Sequence, residues 1–258
     1  MTFSVSRRSL KLGILAAAAV ALPLALSGCS TQAPGDLGRL QSVLATCPDQ
    51  PVNAYDAVDG TGTSQSDTIA QEHLDSIAAD VEKVAVCGGH VAIVAFGTNS
   101  VTASIYEGDL AVDGATDLAR LRRVPALVDE VMAEVTKNYA PAVAQLPRGG
   151  TDVTGLFRLL GEAQELRPDM HLQATIYTDG LTNQGVVIGH ALTDAEATAL
   201  ADTVPVPDLS GSTLAVVGIG RVAGDPLPSE FIAGLKAFYT RLLERTGAAQ
   251  TLVVTDGR

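Results

Sequence analysis

Val52-Asn53-Ala54-Tyr55-Asp56-Ala57-Val58-Asp59-Gly60-Thr61-Gly62-Thr63-Ser64 is an extended run that stops in a loop of small, hydroxyl-bearing residues. The β-branched and small apolar residues of 52–58 read as a strand. Asn53 and Asp56 make it more polar than a buried parallel strand should be. Gly60 and Gly62 permit a tight, irregular turn. The turn sets Asp59 and the hydroxyls of Thr61 and Thr63 near one point.

Downstream, 67–84 carries Ile69, Leu74, Ile77, Val81 and Val84 at helical spacing, and Gly88-Gly89 end the pattern. The near-continuous apolar run 90–96 reads as a central strand. Residues 101–106 alternate, as an edge strand does. A helical pattern over 117–146 is interrupted at Pro125 and Pro141. Upstream, 36–45 predicts a short helix through Leu37, Leu40 and Leu44. After Arg148-Gly149-Gly150-Thr151-Asp152 comes an amphipathic helix through Leu156, Leu159, Leu160 and Ala163. The strand 172–177 then runs into Thr178-Asp179-Gly180. A helix over 193–202, a strand over 213–219, a helix over 229–246 and a strand over 251–254 complete the chain. Strands alternating with helices predict a single α/β domain: a doubly wound, mostly parallel, Rossmann-like sheet flanked by helices. In such sheets ligands bind beyond the carboxyl ends of the strands, at the topological switch point. Asp59 and Asp179 both follow strands.

Three polar clusters therefore stand out: Asp59-Gly60-Thr61-Gly62-Thr63-Ser64, Gly149-Gly150-Thr151-Asp152 and Thr178-Asp179-Gly180. Carboxylates gathered with hydroxyls suit a hard divalent cation, which takes oxygen ligands. Their order and spacing resemble the metal-ion-dependent adhesion site (MIDAS) of von Willebrand factor A (vWA) domains: a D-x-S-x-S loop, a distant Thr and a later Asp. The resemblance covers about Val52 to Val254. It implies a vWA-type fold and a metal site formed by Asp59, Thr61, Thr63, Thr151 and Asp179. It also implies Mg²⁺, or another divalent cation such as Mn²⁺ or Ca²⁺, with one position open to a carboxylate from a protein partner. The chain departs from the family pattern by placing Thr for Ser twice in the first loop. This keeps the hydroxyls but adds methyl groups and stiffens χ1. Each cluster also has a plain structural reading. Ser64 or Ser66 can cap a helix, Asp152 can cap the helix after it, and Thr178-Asp179-Gly180 can be a turn.

The N-terminus reads as an address. Arg7, Arg8 and Lys11 precede an apolar stretch from Leu12 to Leu26, which is interrupted by Pro23 and too short for an ordinary transmembrane helix. It ends in Leu26-Ser27-Gly28-Cys29, which resembles a bacterial lipobox. That implies a signal peptide over 1–28, a palmitate-type lipid on Cys29 after cleavage, a tether over 29–35, and the vWA-like domain over 36–258. Ser6-Arg7-Arg8-Ser9-Leu10 is loosely similar to a twin-arginine signal, so Sec and twin-arginine export both stay open. The expected location is the extracytoplasmic face of the cell membrane, with the lipid as anchor. Without the leader's three positive charges, the net charge of −12 becomes −15. So acidic a body argues against nucleic acid as a partner.

In an exported chain, Cys47 and Cys87 are expected to form a disulfide. Each precedes one of the first two predicted strands. If those strands are parallel neighbours, both cysteines lie at the same edge of the sheet. His73, His90, His171 and His190 are scattered, and no Cys/His spacing suggests zinc.

Enzyme readings are weaker. The run from Asp56 to Thr61 is similar to the D-x-D-x-T loop of haloacid dehalogenase phosphatases, but its aspartates are three apart, not two. The Asp59–Thr63 loop is similar to a phosphate loop of actin-like sugar kinases, but that fold needs a second such loop and ATP. No G-x-S-x-G elbow or Walker lysine is present. The expectation is a binding protein, not an enzyme. The alternatives are a structural envelope lipoprotein with a degenerate metal site, or a metal-dependent hydrolase.

Overall fold

In the computed structural model, a six-stranded sheet organises the chain, its strands in the spatial order 102–110, 89–96, 52–59, 171–177, 213–217 and 250–254. The structure describes residues 35–256. The predicted signal peptide, Cys29 and all but the last residue of the tether lie outside them. The strands are β1 (Val52–Asp59), β2 (Gly89–Phe96), β3 (Thr102–Leu110), β4 (His171–Tyr177), β7 (Thr213–Val217) and β8 (Gln250–Val254). All neighbours pair in parallel except β2 and β3, whose antiparallel pairing makes β3 an edge. This is the expected doubly wound sheet of the vWA type. From β1 the chain builds outward through β2 and β3, then crosses back to place β4 on the other side of β1. The β1–β4 junction is therefore the switch point.

Helices cover both faces. One layer holds α1 (Asp36–Leu44), α2 (Asp67–Cys87), α3 (Asp117–Leu121) and α4 (Val124–Gln145). The other holds α5 (Leu156–Leu166), α6 (Asp194–Thr203) and α7 (Ser229–Arg245). Strand alternation divides the core accordingly. From β1, Ala54 and Val58 pack on the α2 and α4 side, and Ala57 packs on the α5 and α7 side.

Two differences from the sequence expectation have local causes. The helical pattern of 117–146 breaks at Arg122–Arg123, ahead of Pro125, which sits in the first turn of α4 where no amide bond is lost. Pro141 stays inside α4, within two turns of the helix end. A two-stranded hairpin, β5 (Asn183–Gln184) and β6 (Val186–Val187), has too few residues to show a period.

The polarity of β1 is met by partners on both faces. Asn53 Nδ2 donates to the Ala163 carbonyl of α5 at 2.9 Å. Asp56 is buried on the opposite face and hydrogen-bonds Asp80 of α2. Asp80 in turn accepts from Gln173 Nε2 at 2.8 Å and from the Tyr177 hydroxyl at 3.0 Å. Burial first, and the Asp80 charge second, hold the Asp56 carboxyl well above the usual carboxylate range.

Cys47 and Cys87 form a disulfide with Cα atoms 5.5 Å apart. Val52 pairs with Gly89 in register, so the segments before β1 and β2 meet at one edge, as parallel pairing requires. No helix among the described residues is long and apolar enough to cross a membrane.

Candidate metal centre

The carboxyl ends of β1 and β4 lie side by side, because β1 pairs with β4 from Val52↔His171 to Val58↔Tyr177. The next residues on each strand are Asp59 and Thr178-Asp179. Asp59 is fully buried. Its Oδ1 accepts from the Thr61 amide at 2.9 Å and from Thr61 Oγ1 at 2.7 Å. Its Oδ2 accepts from Thr178 Oγ1 at 2.7 Å. Thr151 Oγ1 donates to Thr61 Oγ1 at 2.9 Å, joining the loop after α4 to the loop after β1.

Asp179 is also buried. Its Oδ1 accepts from the Leu181 amide at 2.8 Å, and the hydroxyls of Thr63 and Ser64 hydrogen-bond its carboxylate. Its Oδ2 is buried with no hydrogen-bond partner. All five residues predicted from sequence thus come together. Asp59, Thr61 and Thr151 form one hydrogen-bonded chain, Thr63 and Asp179 form a second, and the two carboxylates stand close enough to repel.

The electrostatics record that repulsion. Burial first, and the Asp179 charge second, push the Asp59 carboxyl up to about 6, against the opposing hydrogen bonds from Thr61 and Thr178. Burial also raises the Asp179 carboxyl, and the hydroxyls of Thr63 and Ser64 and the Leu181 amide oppose the rise. Two buried carboxylates, one with an unused oxygen, flanked by hydroxyls rather than by Lys or Arg, fit a small hard cation. Among the described residues no group of three or more His, Cys, Asp and Glu side chains gathers. The donors here are two carboxylates and neutral oxygens.

Glycines shape the loops. A Cβ on Gly60 would lie 2.3 Å from Leu146 Cδ1, so the absence of a side chain lets the end of α4 pack on the first loop. Gly150 has φ +140°, and a Cβ there would meet Asn183 Oδ1 at 2.1 Å. That oxygen accepts from the Thr151 amide at 3.0 Å and holds the loop in place.

Several supporting residues escaped the sequence reading. Thr178 fixes Asp59, Ser64 fixes Asp179, and Asn183 fixes Thr151. Thr178 and Ser64 stand inside the quoted clusters and carry a chemical signal. Asn183 carries none, because its role depends on the short hairpin folding back. Ser66, not Ser64, caps α2, accepting from the Ile69 amide at 3.2 Å. Asp152 does not touch the centre. Its Oδ1 accepts from the Gly155 amide at 2.9 Å just before α5, and its Oδ2 accepts from Ser100 Oγ at 2.7 Å.

No protein-family model and no curated protein matches the chain. Several solved structures share similarity with it. The conserved hypothetical protein BatB from Bacteroides thetaiotaomicron is 12% identical over 79% of this chain and 89% of its own, with a TM-score of 0.42. An aerotolerance-related membrane protein from Bacteroides fragilis is 13% identical over 79% and 90%, with a TM-score of 0.39. A von Willebrand factor type A protein from Catenulispora acidiphila is 16% identical over 81% of this chain and 39% of its own, with a TM-score of 0.38. The present chain thus spans well under half of the Catenulispora protein. The assignment of a vWA-like fold rests on the sheet order and on the placement of the three loops at one end of it.

Proposed function

We propose that this is a membrane-anchored, extracytoplasmic vWA-like domain that binds a protein partner through a divalent cation, Mg²⁺ or a similar ion. Asp59, Thr61, Thr63, Thr151 and Asp179 would hold the cation. The observation that carries the reading is the Asp59–Asp179 pair: two buried carboxylates at the switch point, ringed by threonine hydroxyls, one with an unpartnered oxygen. A bound cation supplies an electrophilic centre for a carboxylate of the partner. The chain's own residues orient the oxygens and keep the site at the mouth of the sheet. The leader, with its basic start, apolar run and Cys29, supports export and lipid anchoring. The role proposed is binding, not catalysis.

The test is calorimetric titration of the full chain with Mg²⁺, Mn²⁺ and Ca²⁺, paired with capture from envelope extract in Mg²⁺ or EDTA. Saturable metal binding together with EDTA-sensitive capture is expected. No saturable binding of any of the three ions at about millimolar concentration would overturn the metal site. A specific observation favours one second reading, a degenerate scaffold: both oxygens of Asp59 already have hydroxyl donors. On that reading, partner capture is unchanged by EDTA.

A further inference from the structure

The groove beside the candidate metal centre is larger than one carboxylate requires. Its volume is about 680 Å³, within the roughly 300–1,000 Å³ of ordinary ligand pockets. Its lining joins three kinds of surface. Thr61 and Thr151 contribute the oxygens of the centre. Val143, Leu146 and Pro147, at and just beyond the end of α4, contribute an apolar wall. Arg148, the next residue, is exposed and has no ion-pair partner among the described residues. In a chain of net charge −12, an unpaired arginine beside a cation site marks a place for a second anionic group. The apolar wall reaches the centre itself, because Leu146 packs where a side chain on Gly60 would stand.

We propose that this groove selects a partner segment carrying an acidic residue, an adjacent branched aliphatic residue and a second carboxylate. The first carboxylate meets the cation, the aliphatic side chain rests on Val143, Leu146 and Pro147, and the second carboxylate pairs with Arg148. This inference rests on the metal-dependent reading above.

The probe is the dipeptide acetyl-Asp-Leu with a free C-terminus, which carries all three groups. Full-length protein, first titrated with Mg²⁺ alone, is titrated by NMR with this peptide in saturating Mg²⁺. The comparison peptides are acetyl-Asn-Leu, acetyl-Asp-Ser and the C-terminal amide of acetyl-Asp-Leu. Acetyl-Asn-Leu should lose binding. Acetyl-Asp-Ser should bind about tenfold more weakly, as expected for a lost apolar contact in a pocket. The amide should bind about threefold more weakly, as expected for an exposed ion pair. Arg148→Ala should abolish the difference between acid and amide while preserving the preference for Leu over Ser. If Mg²⁺ binds but the four peptides bind alike, or none binds, the groove assignment is overturned and the metal reading stands. If Mg²⁺ itself does not bind, both fall.

Discussion

Replacing Asp59 with asparagine separates charge from packing at the candidate centre. Asn keeps the volume and can keep the bonds. Its carbonyl can accept from Thr61, and its amide can donate to Thr178 Oγ1, which already accepts from the Gly180 amide at 3.1 Å. What it loses is the ionisation. The rise of the Asp59 carboxyl from 3.8 to about 6 corresponds to about 3 kcal/mol. The folded state holds the proton more tightly than the unfolded chain does. The stabilisation is therefore complete below about pH 4 and is lost as pH rises through about 6. In EDTA, the metal-free wild type should lose about 3 kcal/mol from this group between about pH 4 and pH 7, whereas Asp59→Asn should lose none of it. Mg²⁺ at a hundredfold excess over its Kd would restore about 2.7 kcal/mol to the wild type at neutral pH. Because the proton competes for the same oxygens, that gain should shrink as pH falls below about 6. The variant should not respond to Mg²⁺. Urea unfolding of both proteins in EDTA and in Mg²⁺, across this pH range, reads every term. Parallel pH profiles of variant and wild type in EDTA, with no Mg²⁺ stabilisation of either, would refute both the electrostatic argument and the metal site.

Thr61→Val removes the hydroxyl that donates to Asp59 and accepts from Thr151. It should weaken Mg²⁺ binding and lower stability by about 1 kcal/mol, measured by calorimetry and urea unfolding. Thr63→Val, at an exposed position, should weaken Mg²⁺ binding in the same titration with little change in unfolding. Cys47→Ser with Cys87→Ser opens a closure of 40 residues and should cost about 4 kcal/mol by the chain-entropy relation; an unchanged denaturation midpoint would contradict it. Asp56→Asn keeps a donor toward Asp80 but removes a carboxyl whose ionisation burial and Asp80 oppose. Since that carboxyl's folded value is raised, its contribution is lost as pH climbs through it, so the variant should hold its melting temperature better than wild type on the alkaline side.

The fold was legible where the chain is strongly periodic. The stripe of Ile69, Ile77, Val81 and Val84 and the apolar run of β2 place a helix and a central strand beside each other. The disulfide was legible because it needs only the order of two parallel strands. The meeting of Asp59 and Asp179 was legible because both follow strands, where a doubly wound sheet gathers its loops. Thr151, by contrast, lies in the loop between α4 and α5, and only its hydroxyl and the glycines before it signalled it. Less was visible where the determining contact is distant in sequence. Nothing near Asn183 says that its side chain will receive the Thr151 amide, and nothing near Asp80 says that it will meet Asp56 across the α2–β1 interface. Pro125 resembles a helix breaker until the helix is seen to begin at Val124.

The spacing of Asp56 and Asp59 shows how backbone geometry decides between chemical readings. Side chains alternate along a strand, so residues an odd number apart lie on opposite faces. Asp56 shares its face with Ala54 and Val58 and meets Asp80 on the α2 side. Asp59 follows the parity of Ala57 and of Phe96, its partner on β2, both in the core on the α5 and α7 side. The two aspartates therefore cannot converge on one ligand as a D-x-D loop does, and the sheet separates two acid pairs. Asp56 lies mid-strand on β1 and hydrogen-bonds Asp80 of α2, which also accepts from Gln173 and Tyr177. Asp59 and Asp179 lie at the strand ends, beside an open groove and with an oxygen unused. Asp56 also leaves one buried oxygen unpartnered and Asp80 borders a smaller cavity of about 260 Å³, but only the second pair stands at the switch point, where a doubly wound sheet binds its ligands.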